Sequence, residues 1–153
     1  MKTAIKTIAV LVSLCGATTL RAQSPAVASQ PKPAVQVFEH YEAVRVALSN
    51  DRFADVAAHA KQLAATVEPV GRAAAKKAAE ALVAATTIED ARNHFGDLST
   101  ILVPVFQAEK VPGATAYICP MKQQPWVQRG DAVENPYYGK AMLTCGSPLP
   151  AKK

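Results

Sequence analysis

The chain has 153 residues, half of them hydrophobic, with 17 Lys and Arg against 12 Asp and Glu for a formal net charge of +5. Much of the basic excess sits at the start: Lys2, Lys6 and Arg21 lie in the first 22 residues, and without these three the 17 becomes 14 against 12, or +2. A balance so near neutral argues against a nucleic-acid binder, which needs a dense basic footprint.

Met1 to Ala22 begins with lysines at positions 2 and 6, continues with the apolar run IAVLVSLCGA and leaves through the small-residue stretch LRAQSPA. This is the charged, apolar, cleavable layout of a secretory signal, with cleavage predicted after Ala22. The apolar run is about half of the ~20 residues that span a bilayer, so no membrane insertion is expected once the signal is removed. Cys15 follows the bulky Leu14, where a lipid-attachment cysteine would follow a small residue, so lipidation is not expected. The expected location is periplasmic or secreted. The remaining ~131 residues suffice for one domain.

Residues 23–34, QSPAVASQPKPA, carry Pro, Ser and Ala without periodicity and read as a flexible leader. From Val35 the apolar period is helical. Val37, Tyr41, Val44 and Leu48 form the stripe of a first helix, and Asn50 offers an N-cap to a second that carries Phe53, Val56, Ala60, Leu63 and Val67. Pro69 and Gly71 are expected to end the second helix. The stretch GRAAAKKAAEALVAA reads as a third, Ala-rich helix with a solvated Lys face. Thr87 and Asp90 resemble a capping box for a fourth, with Ile88, Ala91, Phe95, Leu98, Leu102 and Val105 on one face and Pro104 bending or ending it. The predicted fold is mainly α: an antiparallel four-helix bundle with an irregular C-terminal segment packed across it. The predicted domain spans 35–148, including a Cys/Met segment at about 111–146, and is followed by a tail at 149–153.

The C-terminal segment holds Cys119, Met121, Met142 and Cys145. In a secreted chain two cysteines most simply form a disulfide. A Cys119–Cys145 bond would close a loop of about 25 residues and stabilise the fold by roughly 3.5 kcal/mol. The spacing also allows a metal site. Cys119 and Met121 are two apart in an extended stretch, and Met142 and Cys145 are three apart, about one helical turn, so each pair offers one thiol and one thioether on a common side. Such soft ligands select Cu(I) or Ag(I), whereas zinc or c-type haem spacings (CxxC, HxxxH, CxxCH) do not occur. Asn135, Pro136 and Gly139 in NPYYG are expected to turn the chain back so that the second pair approaches the first. His40 and His59 read as core-edge or solvated residues; His94 also flanks its stripe and, on the helix that leads into the sulfur segment, is the one of the three placed to serve as an accessory ligand. Asp131 and Glu134 read as solvated. No GxSxG, Walker or HExxH pattern occurs, so the chain is not read as an enzyme.

CPM, a following tryptophan and NPYYGKAMLTCG resemble the signature of an uncharacterised bacterial periplasmic domain family, and ARNHFGDLST resembles the helix that precedes it. That family occurs alone and fused to the C-terminus of periplasmic adaptors of heavy-metal and copper efflux pumps. The resemblance runs from about Tyr41 to Gly146, strong in the last thirty residues and weak in the Ala-rich helices. It implies copper or heavy-metal handling, by sequestration or delivery to an efflux system. It also implies ligands at His94, Cys119, Met121, Met142 and Cys145, with Trp126, Asn135 and Tyr137 shaping the site. The implied partner is an efflux adaptor or another periplasmic copper protein. The chain shows no adaptor hairpin or barrel, so it is expected to act as a separate component. The alternative is a helical interaction module, stapled by Cys119–Cys145 and free of metal, that docks on an envelope or efflux complex through Trp126 and the tyrosines.

Overall fold

The computed structural model describes residues 31–151, apart from the side chain of Arg72. The signal (1–22, with Cys15), leader residues 23–30 and the last two tail residues lie outside the described residues. The fold is mainly helical, with a small antiparallel sheet in its C-terminal part.

Helix α1 (Pro33–Ser49) starts on a proline, whose missing N–H costs nothing in a first turn. Its expected stripe of Val37, Tyr41, Val44 and Leu48 is buried, together with Phe38 and Arg45. Asn50 does not open the next helix as expected. Its side-chain Nδ2 donates to the Val46 carbonyl at 2.9 Å, and Asp51 follows with φ +59°, so the pair closes α1. Helix α2 (Phe53–Thr66) has Arg52 at its N-cap position instead, with no side-chain capping bond.

Pro69 and Gly71 do not end a helix either. Only Val67 separates α2 from α3 (Glu68–Ala84), and Pro69 lies in the first turn of α3, where its lost donor is one that a helix start leaves unpaired. A Cβ on Gly71 would lie 2.9 Å from Leu102 Cδ2, which marks a close approach of α3 to α4.

Helix α4 (Ile88–Ala108) begins as expected, with the Asp90 N–H donating to Thr87 Oγ1 at 3.1 Å. It continues four residues past Pro104. Ala91, Phe95, Leu98 and Leu102 are buried as expected, and Ser99, Val103 and Phe106 widen the buried arc. The arc is wide because α4 meets α3 on one side and α1 and the sheet on another.

A four-helix bundle alone does not describe this architecture, and the C-terminal segment is not irregular. Strands β1 (Ala114–Cys119) and β2 (Gln124–Arg129) form a hairpin with Tyr117 opposite Trp126 and Cys119 opposite Gln124, and β3 (Ser147–Pro148) pairs with the other edge of β1. Gln123 takes φ +55° in the connecting turn and donates its N–H to the Cys119 carbonyl at 2.8 Å. The outer edge of β2 is closed by its own chemistry and by α1. Pro125 has no N–H to offer, the Val127 N–H donates to Tyr41 Oη at 3.3 Å, and the Arg129 N–H donates to Glu42 Oε1 at 3.2 Å. Tyr41 Oη also bonds Ser99 Oγ at 2.7 Å, so one phenol ties α1, α4 and the sheet together. Burial pushes the Tyr41 phenol well up, beyond the lowering effect of its bonds to Ser99 and Val127.

Candidate functional site

The sulfur segment is assembled around Asn135, which is fully buried. Its N–H donates to the Leu143 carbonyl at 2.7 Å, and its Oδ1 accepts from the Tyr137 N–H at 2.7 Å. Its Nδ2 donates to the Cys145 carbonyl at 2.6 Å and to Cys119 Sγ at 3.3 Å. The amide has only one sensible orientation, because a backbone N–H on one side requires an acceptor and a carbonyl on the other requires a donor. One side chain thus joins the end of β1 to the chain that follows the NPYYG turn. The expected fold-back is present, and it brings Cys119 Sγ and the Cys145 carbonyl to a single amide nitrogen.

Both cysteines are free thiols, Cys119 buried and Cys145 half-buried. Gly139 adopts φ +55° and opens a short 3-10 helix (Gly139–Met142), after which the Cys145 N–H donates to the Met142 carbonyl at 3.0 Å. Met142 and Cys145 therefore share one turn, as their spacing suggested. Met121 lies at the hairpin tip, 64% exposed, away from the buried thiol of its own pair. His94 sits on α4 with its Nε2 3.4 Å from Asp90 Oδ1, one turn earlier on the same helix. Among the described residues no three His, Cys, Asp or Glu side chains are grouped to hold a metal ion, so His94 does not converge with the two thiols.

Aromatic side chains wall the site. Trp126 stacks on Tyr117 at 5.5 Å and meets Tyr137 edge-on at 6.0 Å. A Cβ on Gly146 would lie 2.4 Å from Trp126 Cη2, so the backbone next to Cys145 rests directly on the indole. The indole N–H donates to Gln128 Oε1 at 2.9 Å, which also accepts the Glu134 N–H at 3.0 Å. The Tyr137 hydroxyl donates to the Pro125 carbonyl, and burial pushes this phenol well up.

Two arginines fasten the turn to the helices. Arg92 on α4 reaches the Pro136 carbonyl at 3.1 Å, the Leu48 carbonyl at 3.2 Å and Asp51 Oδ1 at 2.6 Å. Asp51 in turn accepts the Lys140 N–H at 3.3 Å. Arg45, buried on α1, binds Glu42 at 2.9 Å and reaches the Glu134 carbonyl at 3.0 Å and its carboxylate at 3.1 Å. Glu134 is therefore a structural ion-pair partner and not merely a solvated acid. Asp131 is exposed and contributes its carbonyl to the Tyr117 hydroxyl at 3.2 Å. The spacing of the sulfurs did not point to Arg45, Arg92 or Asp51. A signal for Arg45 exists in its neighbours, since a charge beside Val44 on a buried stripe requires a partner.

Residues 37–112 match the family model described as Protein of unknown function (DUF3347). This stretch is a domain of unknown function. No curated protein and no solved structure matches the chain. The DUF3347 match takes in α2, α3, α4 and most of α1, and it ends before β1. It contains Tyr41, Arg45, Asp51, Arg92 and Ser99, which hold the C-terminal segment, and none of the four sulfur residues. The matched stretch thus includes the Ala-rich helices, where the resemblance was weak, and stops short of the signature where it was strong.

Proposed function

We propose that this protein binds a soft monovalent ion, Cu(I) or Ag(I), as cargo at Cys119 and Cys145, with the thioethers of Met142 and Met121 as weaker donors. The observation that carries this reading is that both thiols are free and that one amide, that of Asn135, joins Cys119 Sγ to the backbone carbonyl of Cys145. Thiolate and thioether are the donors that favour these ions over harder ones. The Asn135 Nδ2–H directed at Cys119 Sγ supports the charged sulfur that a metal requires, as an outer-shell hydrogen bond does for a ligand. Half-burial of Cys145 leaves one thiol open to ligand exchange. The physiological role we infer is copper or heavy-metal handling in the periplasm, by sequestration or delivery to an efflux adaptor or another copper protein. His94 enters the ligand set only through the resemblance of ARNHF to the helix preceding the signature.

The test is a competition titration of the reduced chain, lacking residues 1–22, against a chromogenic Cu(I) chelator. One Cu(I) per chain is expected, with binding lost in Cys145→Ser and weakened in Met142→Leu. No competition with the chelator, or unchanged binding in both variants, would sink the reading.

The second reading, a helical module stapled by Cys119–Cys145, rests on the same approach of the Cys145 backbone to Cys119 Sγ through Asn135. Thiol counting on protein taken from the cell envelope separates the two. Two reactive thiols exclude the staple, and a bond that resists mild reductant excludes a two-thiolate site.

A further inference from the structure

A second concavity lies on the other side of α4 from its contact with α3. It has a volume of about 580 Å³, within the range of small-ligand pockets, and runs between the C-terminal half of α4, the Ile118 and Pro125 pair of the hairpin, and the strap at Leu149. The strap is tied down at both of its backbone polar groups. The Leu149 N–H donates to the Ala116 carbonyl at 2.9 Å, and its carbonyl accepts from Gln107 Nε2 at 2.9 Å. The walls are mainly apolar, with Val103, Pro104, Ile118, Pro125 and Leu149 among them.

The charge of this cleft is one-sided. Among the described residues, Lys110 is the one charged residue that lines it, and no acid does. Lys110 has no carboxylate within ion-pair distance among the described residues, whereas the neighbouring Glu109 faces Lys32 at 4.0 Å, beside a different hollow. Pro104 adds a further polar group. It has no N–H for the carbonyl of Thr100 one turn earlier, and both residues line the cleft. Apolar walls with an unpaired cation at one end are complementary to an amphiphile with a single negative charge.

We propose that this cleft binds a medium-chain carboxylate from solution, its alkyl chain between Val103, Ile118, Pro125 and Leu149 and its head group at Lys110. This site is separate from the sulfur segment and does not depend on metal binding. The probe is decanoate below its micelle concentration, titrated into the reduced chain lacking residues 1–22 and followed by calorimetry and by methyl NMR of Val103, Ile118 and Leu149. Saturable sub-millimolar binding is expected, roughly tenfold tighter than octanoate for two more buried methylenes. Lys110→Gln should weaken decanoate about fivefold, the size of one exposed charge pair, and leave decanol unchanged. Ala108→Trp, at an exposed wall position, should abolish binding while the melting temperature holds. Lys110 lies outside the helices, so its variant carries the test even where the tryptophan disturbs α4. No shift of the three methyl groups, equal affinity for decanoate and decylammonium, or binding to phosphatidylglycerol vesicles but not to monomeric decanoate would overturn the proposal.

Discussion

Replacing Asn135 by aspartate exchanges one NH2 for one oxygen at a position with no solvent exposure, which makes it a direct probe of how the sulfur segment is held. The introduced oxygen would face the Cys145 carbonyl and Cys119 Sγ, the two acceptors that Nδ2 serves at 2.6 and 3.3 Å, while the bond from the Tyr137 N–H is kept. A protonated carboxyl restores one of the two donors, so the cost is roughly 1 kcal/mol. An ionised one places a buried charge against a carbonyl oxygen. Burial raises such a carboxyl by about 3 units, and at ~1.4 kcal/mol per unit the ionised form costs about 4 kcal/mol more. The folded pKa of the introduced group then lies above its unfolded value of about 3.9. Its stability contribution is therefore fully present below about pH 4, falls as pH rises toward the raised folded value, and is flat beyond it. Urea unfolding followed by far-UV circular dichroism, under reductant at pH 4 and pH 7, reads the difference from the unsubstituted chain. A penalty of about 1 kcal/mol at the lower pH growing to about 5 at the higher is expected, near the total stability of a small domain. A difference within about 1 kcal/mol at both pH values, or one larger at pH 4, would refute the assigned hydrogen bonds.

Gly139→Ala should cost about 3 kcal/mol, because φ +55° penalises any side chain and the added Cβ would lie 2.0 Å from Asp51 Oδ1 and 2.3 Å from Arg92 Nη2. Loss of near-ultraviolet ellipticity from Trp126 and Tyr137 would accompany it, and a variant as stable as its parent would contradict the fastening of the turn to α4. Burial alone would raise the Asp51 carboxyl, but the hydrogen bonds from Arg92 and the Lys140 N–H, with the charge of Arg92, hold it lower overall. With the folded pKa depressed, its contribution is present above the unfolded value of about 4 and lost as pH falls through the folded one. Asp51→Asn should flatten that acid limb, modestly because the side chain is 39% exposed, and an unchanged acid limb would count against the Arg92 contact.

The helical half was legible because burial of a helix face imposes a period, and Val37, Tyr41, Val44 and Leu48 obey it. The ends were less legible, because one residue type serves opposite purposes. Asn50 can cap either end of a helix, and the left-handed turn at Asp51 decides between them. Pro69 stops one helix or starts another, and a first-turn position lets it start α3. The hairpin was missed for related reasons. Gln123 occupies the positive φ that glycine usually signals, and Pro125 lies inside β2, where it is compatible only with an outer edge.

At the site, spacing could place the two sulfur pairs but not their distances from each other, since these depend on residues far away in the chain. The NPYYG turn was legible as a turn, whereas its attachment runs through Arg92, 44 positions before Pro136, and through Arg45, 89 positions before Glu134. These contacts give the DUF3347 stretch a physical meaning that its helical pattern alone does not. Tyr41, Arg45 and Ser99 are buried polar residues on helices, and a free-standing helical bundle would have no use for them. Tyr41 and Arg45 are satisfied in part by the hairpin and by the segment before NPYYG, Tyr41 by the Val127 N–H and Arg45 by Glu134, while Ser99 is tied to the hairpin through Tyr41. The polar residues inside the helices are thus the half of the site that a reading of the sulfurs leaves out. The helices fasten the chain on either side of Asn135 through Arg45 at Glu134 and Arg92 at Pro136.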